Sequence, residues 1–393
     1  MWFGACVSTI GTFVQQFAQS WLVYDLTKDP FYLGLDLFLG QLPFMLFSLV
    51  GGVFADRLDR KKMLLYSQVI QMTCAFTLTV LFYLHLVQVW EILALSFFVG
   101  VGQSFGGPAY SALLPTLVGT EELTNAIAMN SIQFNLARIL GPTLGGLAYT
   151  MLGATWCFAL NGVSYIAVIV SLIVIRVELV PPKTQDSIMK SMKEGIRFIR
   201  QREGLAPLVV LAFCTTLFGF SLTGFLPVIV QTIFHKGPET YELLLVFSGA
   251  GSISGALIVA AMERLKGQGR VALMTLAILG TATTAFAFSK LLPLSCILIF
   301  AAGAAIMASA SLMLSLVQLI VQDRMRGRVM SVYNLAFRAG MPIGALSLGK
   351  IIPIFGVTFA LAGFGLSLVA VAGYFLLSLR NVPAFGRNLP SAV

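Results

Sequence analysis

Apolar runs of about 20 residues or more follow one another along the chain, separated by short polar breaks. That pattern is expected when lipid is the solvent, since a helix needs about 20 apolar residues to cross the hydrocarbon core. A barrel strand would need only about 10, alternating in polarity. Twelve spans are predicted, near 2–24, 31–55, 63–86, 90–116, 125–152, 155–177, 205–233, 241–262, 271–289, 293–320, 329–353 and 357–379. Turn chemistry marks the breaks: Lys28-Asp29-Pro30, Lys236-Gly237-Pro238 and Gly267-Gln268-Gly269. One longer polar segment, 178–204, divides the chain near its middle. It contains Pro181-Pro182 and a basic amphipathic stretch, 187–202, expected to form a helix lying on the membrane surface.

Composition sharpens this picture. Of the 393 residues, 58% are hydrophobic and only 10% charged, with a mean hydropathy of +0.91. Soluble domains carry about 25% charged residues, so the chain reads as an all-α membrane protein. Its net charge of +9 does not imply nucleic acid, because the cations sit in short loops between apolar runs. Loops 56–62, 117–124, 178–204, 263–270 and 321–328 share one side with the C-terminal tail and together hold eighteen Lys and Arg. The opposite loops hold Lys28, Lys236 and Lys290. The positive-inside rule therefore puts the first set, and both termini, on the cytoplasmic side. The stretch from Met1 to Tyr24 lacks a basic leader and runs into the next span, so it reads as the first transmembrane helix. Five scattered cysteines form no CxxC or Cys/His cluster, so they read as small buried hydrophobes and no metal site is expected.

The chain repeats itself. A shift of 200 residues aligns Ala137-Arg138-Ile139-Leu140-Gly141-Pro142 with Phe337-Arg338-Ala339-Gly340-Met341-Pro342, and Ser131 with Ser331. The fifth helix thus matches the eleventh, six spans on. Two parallel, pseudo-symmetric six-helix bundles are expected: residues 1–177, a linker 178–204 with its amphipathic helix, residues 205–380, and a tail 381–393.

The most telling loop reads Gly52-Val53-Phe54-Ala55-Asp56-Arg57-Leu58-Asp59-Arg60-Lys61-Lys62. Asp56 sits where one helix ends and the next begins, where a carboxylate can pair with arginines or cap a neighbouring helix. Such a cluster can hold a cytoplasmic gate in one state and release it in another. The alternative is a solvated loop that only sets topology. Gly141, Gly145 and Gly146 let helices approach closely, and Pro142 removes a helix hydrogen bond, as suits a bendable gate or ordinary packing.

These stretches resemble the major facilitator superfamily, whose loop after the second helix reads G-x-x-x-D-R-x-G-R-[RK]. Gly52, Asp56, Arg57, Arg60 and Lys61 match, with Asp59 in place of the usual glycine. Gly141-Pro142-Thr143-Leu144-Gly145-Gly146 is similar to the G-P-x-x-G-G motif of the superfamily's exporters. Leu136-Ala137-Arg138 and Phe158-Ala159-Leu160-Asn161-Gly162-Val163-Ser164 look like the branch containing macrolide-efflux and enterobactin-exporter proteins. The usual arginine of the fourth helix is missing before Gly102-Gln103, so no proton relay is carried over from it.

Charges within spans are costly, and each is a functional candidate. Arg138 and Arg338 lie about 14 residues into their helices, roughly 20 Å at the standard rise. Asp36 sits at a similar depth on the second helix. The resemblance, in which the second helix faces the eleventh, implies an Asp36–Arg338 pair at an outer gate. Asp36 is also the leading candidate for a proton carrier, with a static ion pair as the alternative.

The resemblance further implies that helices one, four, seven and ten line a substrate cavity. They would offer Gln15, Gln19 and Trp21; Gln103 and Tyr110; Thr216, Phe218 and Phe220; and Met307, Ser311 and Met313. A neutral lining of amide and aromatic groups suits bulky amphiphilic solutes. The expectation is a monomeric secondary exporter of drug-, macrolide- or siderophore-like molecules, exchanging them for protons and needing no cofactor. Its alternatives are an importer, a lipid or lysolipid transporter, or a non-transporting sensor or assembly protein. No G-x-x-x-x-G-K-[ST] loop is present, and no convergent nucleophile, metal or acid/base set marks a membrane enzyme.

Overall fold

The computed structural model describes residues 2–57, 59–118, 122–174, 188–261 and 267–378. Every regular element among them is helical. Contacts divide the chain into two units, Met1–Gln185 with Lys236–Val246, and Asp186–His235 with Phe247–Val393. The second unit thus begins inside the expected linker, and the start of one later helix belongs to the first.

The first unit contains α1 (Trp2–Thr27), α2 (Pro30–Arg57), α3 (Arg60–Tyr83), α4 (Val89–Val118), α5 (Leu123–Leu152) and α6 (Ala154–Val174). Here α1 packs on α5 and α6, α2 on α4, and α3 on α4 and α6. Asp59, the residue that departs from the loop pattern, is the N-cap of α3. Its side chain accepts from the backbone N–H groups of Lys61 and Lys62 at 2.9 and 3.2 Å, satisfying donors that a helix start leaves open.

The second unit opens with the amphipathic helix α7 (Ile188–Gln201). The next span, Leu205–Phe234, is not one regular helix. It runs as α8 (Leu205–Cys214), a π-helical turn (Thr215–Gly219), the short α9 (Ser221–Gly224) and α10 (Leu226–Ile229), and a second π-helical turn (Val230–Phe234). Pro227 stands in the first turn of α10. Four further helices follow α11 (Pro238–Ala261), whose first nine residues lie in the first unit: α12 (Gln268–Phe288), α13 (Leu292–Ile320), α14 (Asp323–Phe355) and α15 (Val357–Ser378). The pairings repeat those of the first unit, with α12 against α13 and α15, and α14 against α8 and the first π turn.

Ten helical stretches among the described residues, Leu205–Gly224 counted as one, are long and apolar enough to cross a membrane. The two remaining long ones, α1 and α5, are of spanning length but more polar. They carry Gln15, Gln16 and Gln19, and Asn125, Asn130, Gln133, Asn135 and Arg138 respectively. In lipid such groups need partners inside the protein, so these helices mark where polar chemistry is built.

Candidate functional site

Asp36, on α2, is 4% exposed. Its carboxylate accepts from the Gln19 Nε2 group of α1 at 3.0 and 2.9 Å and from the Ser96 hydroxyl of α4. The same Gln19 amide reaches Ser96 Oγ at 2.8 Å. Gln15, one turn back on α1, donates weakly to Gln19 Oε1 at 3.4 Å and accepts from Asn161 Nδ2 of α6 at 2.6 Å. One connected chain, Asn161–Gln15–Gln19–Asp36–Ser96, therefore crosses four helices. The spacing is what permits it, since residues 15 and 19 are four apart and share a helix face. A second buried set joins Thr12, Tyr165, Gln71 and Ser67, ending on the Gly102 carbonyl. These bonds hold the helices together where apolar contact alone offers little advantage over lipid.

The Gly-Pro segment of α5 lies against α1. A Cβ at Gly141 would overlap the Phe13 side chain, and one at Gly145 would press on Phe17 at 3.2 Å. Phe17 in turn stacks on Tyr241 of α11, with centroids 4.7 Å apart, and Trp21 also stacks on Tyr241 at 6.0 Å. The next residue, Glu242, places its carboxyl where a Gly146 side chain would have to go. Gly146 is thus a seat for α11 rather than a contact with α1. Arg138, half-buried, lies 5.5 Å from the Phe134 ring centroid, and Phe134 meets Phe13 edge-on.

In the second unit the corresponding contact is closer still. A Cβ at Gly340 would strike Thr216 Oγ1 and the Phe213 carbonyl, and one at Gly344 would strike the Leu217 carbonyl. Backbone thus approaches backbone between α14 and the π-helical turn. Phe218 meets Phe364 edge-on, and Phe220 meets Phe337, which stacks on Tyr333. In the 200-residue register this unit has Thr215 and Gly219 at the positions of Gln15 and Gln19, with Phe218 and Phe220 beside them.

The family described as transmembrane secretion effector matches residues 1–391. The chain belongs to that family, a branch of the major facilitator superfamily. Its members are transporters of small molecules, not enzymes. Among its relatives, macrolide efflux protein A of Streptococcus pyogenes is 25% identical over 97% of this chain and 96% of that protein. The multidrug efflux pump Tap of Mycolicibacterium fortuitum is 26% identical over 97% and 95%, and the enterobactin exporter EntS of Citrobacter koseri 26% over 90% and 85%. In fold it is similar to an inward-facing bacterial homologue of the lysosomal transporter Spinster, with a TM-score of 0.77 at 14% identity over 98% and 96% of the two chains.

Within this secretion-effector chain the residues singled out from sequence take different places. Gln15, Gln19 and Asp36 come together in one network. Trp21 is buried against Tyr241, and Gly141, Pro142, Gly145 and Gly146 form the α1–α5–α11 contact. Thr216 and Met313 lie inside helix packing: the Thr216 hydroxyl donates to the Ala212 and Phe213 carbonyls, and Met313 is fully buried, its sulfur accepting from Thr215. Gln103, Tyr110, Phe218, Phe220, Met307 and Ser311 are half-buried, and the Tyr110 hydroxyl reaches Asn130 at 3.2 Å. Arg338 is exposed midway along α14. Arg60 and Lys61 donate to the carbonyls of Ala112 and Ile173, tying the start of α3 to α4 and α6. The side chains of Asp56 and Arg57 lie outside the described residues.

Sequence reasoning did not single out Ser96, Tyr241 or Glu242. Ser96 is one hydroxyl among many in apolar runs. Glu242 was legible as a carboxylate at the second position of an apolar run, the kind of residue that seldom enters a span without a seat.

Proposed function

We propose that this chain exports small amphiphilic molecules of macrolide, drug or siderophore type by alternating access, in exchange for protons. The observation that carries the reading is the buried Asp36 carboxylate, hydrogen-bonded to Gln19 and Ser96 at the meeting of α1, α2 and α4. An ionised carboxylate only accepts hydrogen bonds, so Ser96 must donate to it. A proton on Asp36 turns one oxygen into a donor. The other oxygen still accepts, so of the bonds now made by Gln19 and Ser96 only those to the protonated oxygen must be given up or reversed. Gln15 and Asn161 follow, because each is bonded to the next. Proton gain thus becomes a change in how α1 sits against α2, α4 and α6, which is what a coupling site has to deliver.

The relatives' names favour export of bulky amphiphiles, and the side chains fit. Gln15, Gln19 and Gln103 offer amides, Tyr110 a phenol, and Phe218, Phe220 and Met307 soft apolar surface; Ser311 adds a hydroxyl. None of these is charged, so an uncharged or delocalised solute meets no unpaired ion. The chain works as a monomer in a bacterial inner membrane with both termini cytoplasmic, as its loop charges favour. The Asp56–Arg57–Arg60–Lys61 cluster, together with Arg138 and Arg338, serves the gates. Reconstitution in vesicles with an imposed pH gradient tests this. Gradient-dependent movement of macrolides or amphiphilic dyes is expected, and flux indifferent to the gradient would count against proton exchange.

A further inference from the structure

The amphipathic helix α7 does not spend its apolar face on the membrane. Gly195 lies so close to α14 that a Cβ there would meet the Arg328 carbonyl 2.7 Å away, and Ile199, one turn on, is buried. Glu194 forms an ion pair with Arg328. The helix is therefore docked on α14 within the second unit, by its apolar face and by its acidic residue in the described stretch.

What faces outward is basic. Lys193, Arg197 and Arg200 are exposed, spaced four and three residues apart and so on one side of the helix. Together with Ile196 and Gln201 they line a shallow open cleft. The one carboxylate of α7 is turned to Arg328 and neutralises none of them.

The position of this edge identifies its partner. The spanning helix α8 begins at Leu205, four residues after α7 ends. Glu194 meets α14 at Arg328, only five residues past the start of that second spanning helix. Two independent anchors thus hold α7 at the level where spans leave the hydrocarbon, which is where phosphate headgroups lie. Three cations at that level, with an apolar residue among them, match an anionic headgroup and the first carbons beneath it.

We propose that the Lys193–Arg197–Arg200 edge of α7 binds the headgroups of anionic phospholipid. The apolar side of α7 belongs to the protein and its charged side to the membrane surface. Because α7 is clamped to α14, the helix that carries Arg338 and packs on the π-helical turn, headgroup binding stabilises the second unit.

The test uses the full chain in phosphatidylcholine micelles or vesicles, titrated with phosphatidylglycerol while thermal stability is followed. Phosphatidylglycerol is expected to raise the unfolding temperature of the wild type, whereas inorganic phosphate at the same concentration is not. The K193Q/R197Q/R200Q variant should need roughly 100-fold more phosphatidylglycerol for the same shift, about fivefold per charge removed, and K193R/R197K/R200K should behave as wild type. If the triple variant does not fold, the three single Gln variants carry the test. Equal responses in wild type and Gln variants, or an equal response to inorganic phosphate, would overturn the proposal. So would a triple variant that loses stability in pure phosphatidylcholine by as much as the wild type gains from the anionic lipid, since the edge would then be serving a protein carboxylate.

Discussion

In the first unit, α1 runs unbroken from Trp2 to Thr27 against the Gly-Pro helix α5, and turns Gln15 and Gln19 toward a buried carboxylate. In the second, the stretch that packs on the Gly-Pro helix α14 breaks twice into π-helix, has Thr215 and Gly219 at the positions of Gln15 and Gln19, and carries Phe218 and Phe220 beside them. The scaffolds agree in their pairings and differ in what they bury. A regular helix with a fixed hydrogen-bond chain can pass on a change in protonation, because every member constrains the next. A helix with π turns has carbonyls and side chains out of register, a common feature of sites that accommodate a ligand. The repeat thus supplied two copies of one frame, and on the proposed function their divergence would divide coupling from accommodation.

The sharpest way to break this comparison is at the close approaches. Gly344→Ala sets a methyl against the Leu217 carbonyl, which is backbone and cannot move aside. Gly141→Ala meets the Phe13 side chain, which can turn. Overpacking costs about 1–3 kcal/mol, so Gly344→Ala should fall at the top of that range and Gly141→Ala near the bottom, read from thermal unfolding in detergent. Equal losses would mean that the two contacts are alike after all. A smaller effect is expected from Ser96→Ala, which removes a donor to the carboxylate. A hydrogen bond to a charged group contributes about 1.5 kcal/mol or more, so gradient-driven flux should fall about 10-fold with the fold intact. Phe220→Ala should change the ranking of substrates a few-fold while leaving the dependence on the gradient as it was; loss of gradient dependence there would erase the division of labour. The least effect belongs to Asp59→Ala, which removes the α3 cap and should cost about 1 kcal/mol of stability with no change in substrate preference.

Much of this was legible in the chain. Twelve apolar runs, the 200-residue repeat and the turn residues placed the long helices to within a few residues, because lipid forces each backbone group to be satisfied within its own helix. The Asp36–Gln19 pairing was half legible: both residues stood out as polar groups in spans, yet nothing in the pattern joined them. The described hydrogen bonds of Asp36 come from Gln19 and Ser96. Sequence shows depth along a helix better than the direction a side chain takes around it. The π turns of Leu205–Phe234 were not legible, since their residues are apolar throughout and a register slip leaves no mark on hydropathy. The docking of α7 was not legible either, because an amphipathic face reads the same whether it meets lipid or another helix.

If Asp36 couples protons to transport, its amide variant must separate coupling from carriage. Wild type and Asp36→Asn are compared in vesicles, measuring substrate flux driven by a pH gradient alongside equilibrium exchange of substrate with no gradient. Asp36→Asn is expected to abolish the gradient-driven flux and retain the exchange, because the amide cannot take up a proton while the helices around it remain in place. Gradient-driven flux at the wild-type rate in Asp36→Asn would contradict it.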